Sequence, residues 1–198
     1  MTLEQTLAFL AFAFVAAVTP GPSNVMITAT GTAVGIIRGL PCALGAALGM
    51  GLLLFFSALG LGELVRAQPM IIKVLNWGGA AFLLWMAWKI ASAPTATATE
   101  STKPVGLIGA ALFQWANPKG WLVAIGAAST YLQGAGEGRF MQAVIFGALF
   151  FIVAFPSGLV WLVLGSMINR VLRNERQARI FNVTMGLALA ASVIMLFR

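Results

Sequence analysis

The stretch that decides the fold is LPCALGAALGMGLLLFFSALGLG, residues 40–62, which contains no Asp, Glu, Lys or Arg. It is longer than the roughly 20 residues that a helix needs to cross the hydrocarbon core of a bilayer. A second uncharged run, residues 140–169, is longer still. Runs of this length predict an integral membrane protein.

The composition supports the same prediction. Of the 198 residues, 60% are hydrophobic and 9% are charged, whereas soluble domains average about 45–50% and 25%. The net charge of +7 comes from Lys and Arg between the apolar runs, so we expect topological charges and no nucleic-acid partner. The chain has no histidine and only one cysteine, Cys42. Because the commonest metal ligand and general base is missing, we expect no metal site, cofactor or intrachain disulfide.

Six hydrophobic segments are expected to cross the membrane, as helices rather than strands because each run is long and continuous. They cover about residues 3–30, 39–61, 70–91, 105–131, 140–168 and 180–197. A polar linker at about 92–104 divides one domain, residues 1–198, into halves of about 1–91 and 105–198. Because each half has an odd number of spans, the second half runs through the membrane in the opposite sense to the first. The predicted fold is therefore all-α, with six transmembrane helices forming two inverted three-helix repeats.

The basic residues predict an orientation. The connections between segments 1–2, 3–4 and 5–6 carry seven Lys and Arg, and the opposite side carries four. The strongest signal is a cluster of arginines between the fifth and sixth segments: Arg170, Arg173, Arg176 and Arg179. Because cytoplasmic loops collect Lys and Arg, both termini are expected outside the cytoplasm.

The first segment is interrupted by Thr19-Pro20-Gly21-Pro22-Ser23-Asn24. Each proline removes a backbone donor and clashes with the carbonyl four residues earlier. Two prolines around a glycine should break this helix, and the freed backbone groups are tolerated at membrane depth where they line a polar cavity or are buried in protein. A simple packing kink is the alternative.

The fourth segment is interrupted by Gln114-Trp115-Ala116-Asn117-Pro118-Lys119. Lys119 lies well inside an apolar segment, where a charge costs about 2.5–3.5 kcal/mol on insertion scales. Lys73 and Lys89 lie near helix ends and can extend to the interface. Lys119 is therefore a candidate functional residue, and the alternative is a lysine satisfied by carbonyls that the break leaves free.

Two broken helices that meet in the membrane form a candidate amino-acid site. Lys119 and a half-helix N-terminus could hold a carboxylate, because both are positive. Carbonyls near Thr19 and Ala116, with nearby amide side chains, could hold an ammonium group. The expected substrate-binding residues are Thr19, Pro20, Gly21, Pro22, Asn24, Gln114, Asn117, Pro118 and Lys119.

Glycines recur every four residues at Gly31, Gly35 and Gly39, and again at Gly45 and Gly49. Small residues at this spacing let helix backbones approach closely. We expect packing within the chain, and a homodimer face is the alternative.

The Thr19–Pro22 motif, the glycines at 39, 45 and 49, and Asn117-Pro118-Lys119 resemble the LysE/RhtB family of bacterial amino-acid exporters. The resemblance covers nearly the whole chain. Residues 84–91, LWMAWKIA, are similar to the branch that exports cysteine and O-acetylserine. The resemblance implies a multi-pass protein of the bacterial inner membrane that exports small neutral amino acids or derivatives, of cysteine, O-acetylserine, homoserine or threonine type, using the proton gradient.

The chain departs from that family where Met50 follows Gly49, because many members have Asp there. The acidic residues all fall in loops or at helix ends: Glu4, Glu63, Glu100, Glu137 and Glu175. If transport is proton-coupled, Lys119 is the internal group that could titrate; otherwise the coupling is indirect or the driving force is different. Without an anionic pocket, a neutral amino acid fits better than lysine or arginine.

Two other functional classes are alternatives to a transporter. An intramembrane enzyme would need a Ser–Lys pair of Lys119 with Ser23 or Ser129, since histidine and a Gly-x-Ser-x-Gly motif are absent. A membrane scaffold without transport is the other alternative. The sequence favours a transporter and no enzyme.

Overall fold

The computed structural model describes residues 2–92, 105–132, 138–171 and 174–196, and within them the regular structure is helical, without strands. This confirms the all-α prediction; nearly all of the predicted linker lies outside the described residues. The helices are α1 (Leu3–Val18), α2 (Pro22–Phe56), α3 (Gly62–Ala67), α4 (Pro69–Ala91), α5 (Leu107–Ala116), α6 (Pro118–Tyr131), α7 (Arg139–Val171) and α8 (Glu175–Ala191). A π-helix, Ser57–Leu61, joins α2 to α3, and a 3-10 turn, Ser192–Leu196, follows α8.

Among the described residues, four helical stretches are long and apolar enough to cross a membrane: Pro22–Val65, Met70–Ala91, Arg139–Ile168 and Glu175–Ile194. The helices α1 and α5 are apolar but shorter, with 16 and 10 residues. Each of them is followed closely by another helix, so that α1 with the start of α2, and α5 with α6, correspond to the two segments predicted to be broken.

The helix α2 reverses direction at Gly35. This residue has φ 76° and ψ −175°, a region of backbone conformation that is essentially restricted to glycine. Thr30 Oγ1 lies 3.6 Å from Cys42 Sγ, although twelve residues of straight helix would separate them by about 18 Å. The chain therefore folds back, and we name residues 22–34 arm A and residues 36–56 arm B. This reversal separates the first and second predicted segments.

Glycines bring the arms of α2 against neighbouring backbones. A Cβ at Gly31 would collide with Leu162 O of α7, and one at Gly49 would lie 2.5 Å from Ala111 O of α5. Gly35 has no such neighbour within 4 Å, since its role is the turn. The other glycines of the two regular series therefore pack within the chain, which was the first of the two interpretations of their spacing.

Arm B and α7 meet in a reciprocal contact. A Cβ at Gly51 would lie 2.9 Å from Gly147 O and 3.5 Å from Phe151 Cβ. A Cβ at Gly147 would lie 2.7 Å from Gly51 O and 3.3 Å from Phe55 Cβ. The two helices thus present matching positions to each other, and the residue numbers of Gly51 and Gly147, like those of Phe55 and Phe151, differ by 96.

Two apolar clusters form the core. One surrounds an aromatic group in which Phe9 of α1 stacks edge-on against Tyr131 and Phe146, with ring centroids 5.5 and 4.6 Å away. The other joins arm A and the start of arm B to α4, α5, α7 and α8 through residues that include Ile27, Ala43, Leu83, Phe113, Leu162 and Leu189. The candidate site contacts both clusters, through Phe150 of the first and through Ile27 and Ala43 of the second.

Candidate functional site

The first break lies between α1 and arm A. The helix α1 ends at Val18, Gly21 caps α2 in an extended conformation, and Pro22 is the first residue of α2. Proline suits this position because the first helical N–H has no partner in the helix. The buried side chain of Asn24 donates through Nδ2 to Ala17 O (3.1 Å) and Thr19 O (3.0 Å). Asn24 therefore satisfies carbonyls that the end of α1 leaves free.

The second break separates α5 from α6 in the same manner. Asn117 has an extended conformation, and its Oδ1 accepts the backbone N–H of Lys119 at 3.1 Å. Pro118 is the first residue of α6. The chain is thus broken at both predicted motifs, and each break starts a new helix with a proline.

The two breaks lie against each other. Ser23 Oγ donates to Gln114 Oε1 at 2.8 Å, and Asn117 Nδ2 donates to Ser23 Oγ at 2.9 Å. At the far end of α6, Tyr131 Oη lies 3.4 Å from Ala8 O. Contacts therefore run in opposite order along the two segments, so that α1 with arm A lies antiparallel to α5 with α6.

Lys119 crosses from one break to the other. Its Nζ donates to Thr19 O at 2.6 Å, and its side chain lies so close to Gly21 that a Cβ there would be 2.8 Å from Lys119 Cδ. This bond to a carbonyl at the break is the contact that the alternative interpretation of Lys119 expected. Since Thr19 O already accepts from Lys119 and Asn24, it is not free here to hold a substrate ammonium group.

Gln114 presents an unpaired donor. Asn117 Oδ1 faces the N–H of Lys119, so Asn117 Nδ2 must face Gln114, which presents Oε1 at 3.2 Å. The amide group of Gln114 is therefore oriented by its neighbours. Its Nε2 has no hydrogen-bond partner among the described residues, although the side chain is completely buried. An unpaired buried donor is costly, which suggests that a bound group uses it.

These residues line a cavity between the two breaks. Its polar lining consists of Ser23, Asn24, Gln114, Asn117 and Lys119. The rest of the lining is an apolar wall of mostly small residues, with Ala43, Ala46, Ala47, Ala154 and Gly158, and it includes larger residues such as Met50. No carboxylate is among the described residues that line it.

The structure brings together five of the nine expected binding residues at the cavity surface: Gly21, Asn24, Gln114, Asn117 and Lys119. The other four, Thr19, Pro20, Pro22 and Pro118, form the backbone of the two breaks without lining the cavity. Ser23 and Met50 also line the cavity, although they were not among the expected binding residues. Ser23 could have been found because it belongs to the first motif, and Met50 because it replaces the Asp of related chains.

A model of the LysE type translocators matches residues 14–197. The chain belongs to the LysE translocator family. Membership, together with the long apolar helices, makes it a multi-pass membrane protein and a transporter, not an enzyme, as predicted. In this LysE-type translocator, Lys119 bonds Thr19 O, and Ser23 bonds Gln114. Ser129 lies ten residues along α6 from Lys119, about 15 Å in a helix, so neither serine forms the pair that an enzyme would need.

Relatives of this translocator include proteins named cysteine/O-acetylserine efflux protein. The protein of Salmonella choleraesuis is 30% identical over the full length of both chains. That of Klebsiella pneumoniae is 36% identical over 67% of each chain, and that of Escherichia coli O1:K1 is 27% identical over the full length. No solved structure gives a significant match.

Proposed function

We propose that this protein exports small neutral amino acids or their derivatives, of the cysteine, O-acetylserine, homoserine or threonine type, from the cytoplasm by secondary transport. The observation that carries the proposal is a cavity between two broken helices, whose described lining residues offer a lysine ammonium and an unpaired amide donor but no carboxylate. Such a site suits a ligand with a carboxylate and an uncharged side chain. The names of the relatives support the same substrate class.

The substrate carboxylate would bind between Lys119 Nζ and Gln114 Nε2. An ammonium group has three donors, and the bond to Thr19 O uses one of them. The carboxylate can therefore recruit the same ammonium or displace it from Thr19 O. In the second case Thr19 O becomes free to accept a hydrogen bond from the substrate ammonium group. The bond between Lys119 and Thr19 is then replaced by one bond to each charged group of the substrate.

The apolar wall would accept the substrate side chain. Met50 occupies the position at which many related chains carry Asp, and it lines the cavity. A carboxylate there would favour a cationic side chain, whereas a thioether favours an uncharged one. The small residues Ala43, Ala46 and Ala47 leave room in the cavity for such a side chain. This chemistry separates a neutral substrate from lysine or arginine.

We also propose that the chain forms one domain of two inverted three-helix repeats, about 1–91 and 105–198, which cross the membrane six times. Gly35 supports the number of six crossings, because the chain reverses direction there and so separates two of them. Pro22 and Pro118 support the repeat, because each begins the second part of a broken helix. The reciprocal contact of Gly51 and Gly147 is what a two-fold relation between the halves would produce.

For the driving force we propose the proton gradient across the bacterial inner membrane. No described acidic residue lines the cavity. Lys119 is therefore the ionisable group in the cavity whose protonation could change with substrate occupancy. Release of the substrate carboxylate would then be tied to the state of the same ammonium group that bonds Thr19 O.

Purified protein in liposomes tests the proposal. Counterflow of labelled O-acetyl-L-serine and L-threonine, with and without a pH gradient, should be fast for the natural chain and lost for Lys119→Met. Lys89→Met is the matched control, because Lys89 lies in the last turn of α4 and outside the cavity. Natural rates in the Lys119→Met variant would refute the proposed role of Lys119. Absence of counterflow of any neutral amino acid by the natural chain would refute the proposed function.

A further inference from the structure

The cavity-facing side of α7 continues beyond the cavity. Phe150 and Ala154 line the cavity. At about 100° per residue, Ser157 and Trp161 lie within about 20° of the direction of Phe150 around the helix axis. The next residue to Ser157, Gly158, also lines the cavity. Ser157 and Trp161 therefore extend this face by about 10 Å from Ala154 toward the C-terminal end of α7.

This extension carries unpaired polar atoms. Ser157 Oγ and Trp161 Nε1 are buried and have no hydrogen-bond partner among the described residues. The side chain of Ser157 is 7% exposed, so neither lipid nor bulk water reaches it in this conformation. Buried polar groups are normally paired, and two unpaired atoms on neighbouring turns of one helix require an explanation.

The polar atoms of α7 are confined to this side. Within residues 143–164, Ser157 and Trp161 are the only residues whose side chains carry a hydrogen-bonding N or O atom. The opposite side exposes apolar residues, including Ile152 and Val163. A helix that only filled space between apolar neighbours would not need this asymmetry. A face that meets water or solute in another conformation would need polar atoms on that side.

Arm A packs along α7 next to this face. Thr28 Oγ1 donates to Trp161 O at 3.4 Å, and a Cβ at Gly158 would lie 3.5 Å from Ile27 Cδ1. Arm A begins at the first break, next to Lys119, and ends at the Gly35 reversal. The segment that packs next to this face thus begins in the candidate binding site.

We propose that the Ser157–Trp161 face of α7 lines the half of the solute pathway that is closed in this conformation. Solute passes from the cavity along this face, and the serine hydroxyl and the indole N–H donate to its carboxylate or to the water that accompanies it. This proposal rests on the proposed function because it requires that a solute crosses the protein. It does not depend on the identity of that solute.

Cysteine accessibility tests it directly. Cys42 is the only cysteine, so Cys42→Ala gives a background in which Ser157→Cys, a substitution of similar size, carries one thiol. Val163→Cys is the control: it lies about 9 Å from Ser157 along α7 and about 120° away around the helix axis, on an exposed apolar surface. The full-length variants, in nanodiscs that leave both faces accessible, are treated with a small anionic methanethiosulfonate, with and without saturating L-threonine.

Ser157→Cys should react at least tenfold faster than Val163→Cys, and L-threonine should slow its reaction. Equal rates for the two variants, or no reaction of Ser157→Cys under any condition, would overturn the proposal. Fast reaction that no neutral amino acid slows would support the pathway and count against the proposed substrate class. The two proposals can therefore fail separately.

Discussion

Gln114 is the residue on which substrate affinity should depend most directly. Gln114→Glu keeps the oxygen that accepts from Ser23 and Asn117 but replaces the unpaired Nε2 donor by a second oxygen. A hydrogen bond to a charged group contributes about 1.5–3 kcal/mol. Loss of that bond, with added repulsion of a carboxylate, should raise the KM for neutral amino acids by about 10–100-fold.

Transport kinetics in proteoliposomes measure this effect. Gln68→Glu is the control, because Gln68 is exposed at the start of α4, and its KM should stay unchanged. If Gln114→Glu has the KM of the natural chain, Nε2 does not contact the substrate and the proposed position of the carboxylate is wrong.

For single residues, the sequence could predict those whose free-energy cost in lipid does not depend on their neighbours. A mid-segment lysine and a Pro-Gly-Pro break are costly anywhere in a membrane, so Lys119 and the first break could be predicted. The unpaired state of Gln114 could not, because it depends on which side of α5 meets arm A. Ser23 illustrates the same limit, since its partners lie about 90 residues away in sequence.

Among the helices, close approach at Gly49 should control how α5 packs on arm B. A Cβ at Gly49 would lie 2.5 Å from Ala111 O and 2.8 Å from Ala111 Cα. Backbone atoms cannot rotate away as side chains do, so Gly49→Ala should destabilise the protein by about 1–3 kcal/mol through overpacking. The expected result is a lower thermal unfolding midpoint in detergent, followed by tryptophan fluorescence.

Gly78→Ala provides the control for this measurement. Gly78 lies inside α4 with no atom within 4 Å of a Cβ, and alanine is the better helix former by up to about 1 kcal/mol. Its unfolding midpoint should be equal or higher. If Gly49→Ala and Gly78→Ala unfold at the same temperature, the contact between arm B and α5 is looser than the structure indicates.

The helices also show where glycine spacing misleads. Gly31, Gly35 and Gly39 form one regular series in the sequence, and the spacing alone assigns them one role. In the structure Gly31 meets the backbone of α7, whereas Gly35 has no close neighbour and reverses the chain. A positive φ is not visible in a series of glycines, because glycine adopts both signs of φ readily.

For the whole molecule, the distribution of arginine predicts the orientation in the bilayer. Arg176 and Arg179 lie exposed at the start of α8, on the connection that carries four of the twelve Lys and Arg residues. If cytoplasmic segments collect positive charge, this end of α8 faces the cytoplasm and Thr2, at the start of α1, faces outward.

Thr2→Cys and Asn174→Cys, each in the Cys42→Ala background, place single thiols at these two ends. In intact cells an impermeant maleimide should label Thr2→Cys, whereas Asn174→Cys should react only after the membrane is permeabilised. The reverse pattern would invert the orientation, and labelling of both in intact cells would place the two ends on the same side and exclude the proposed six crossings.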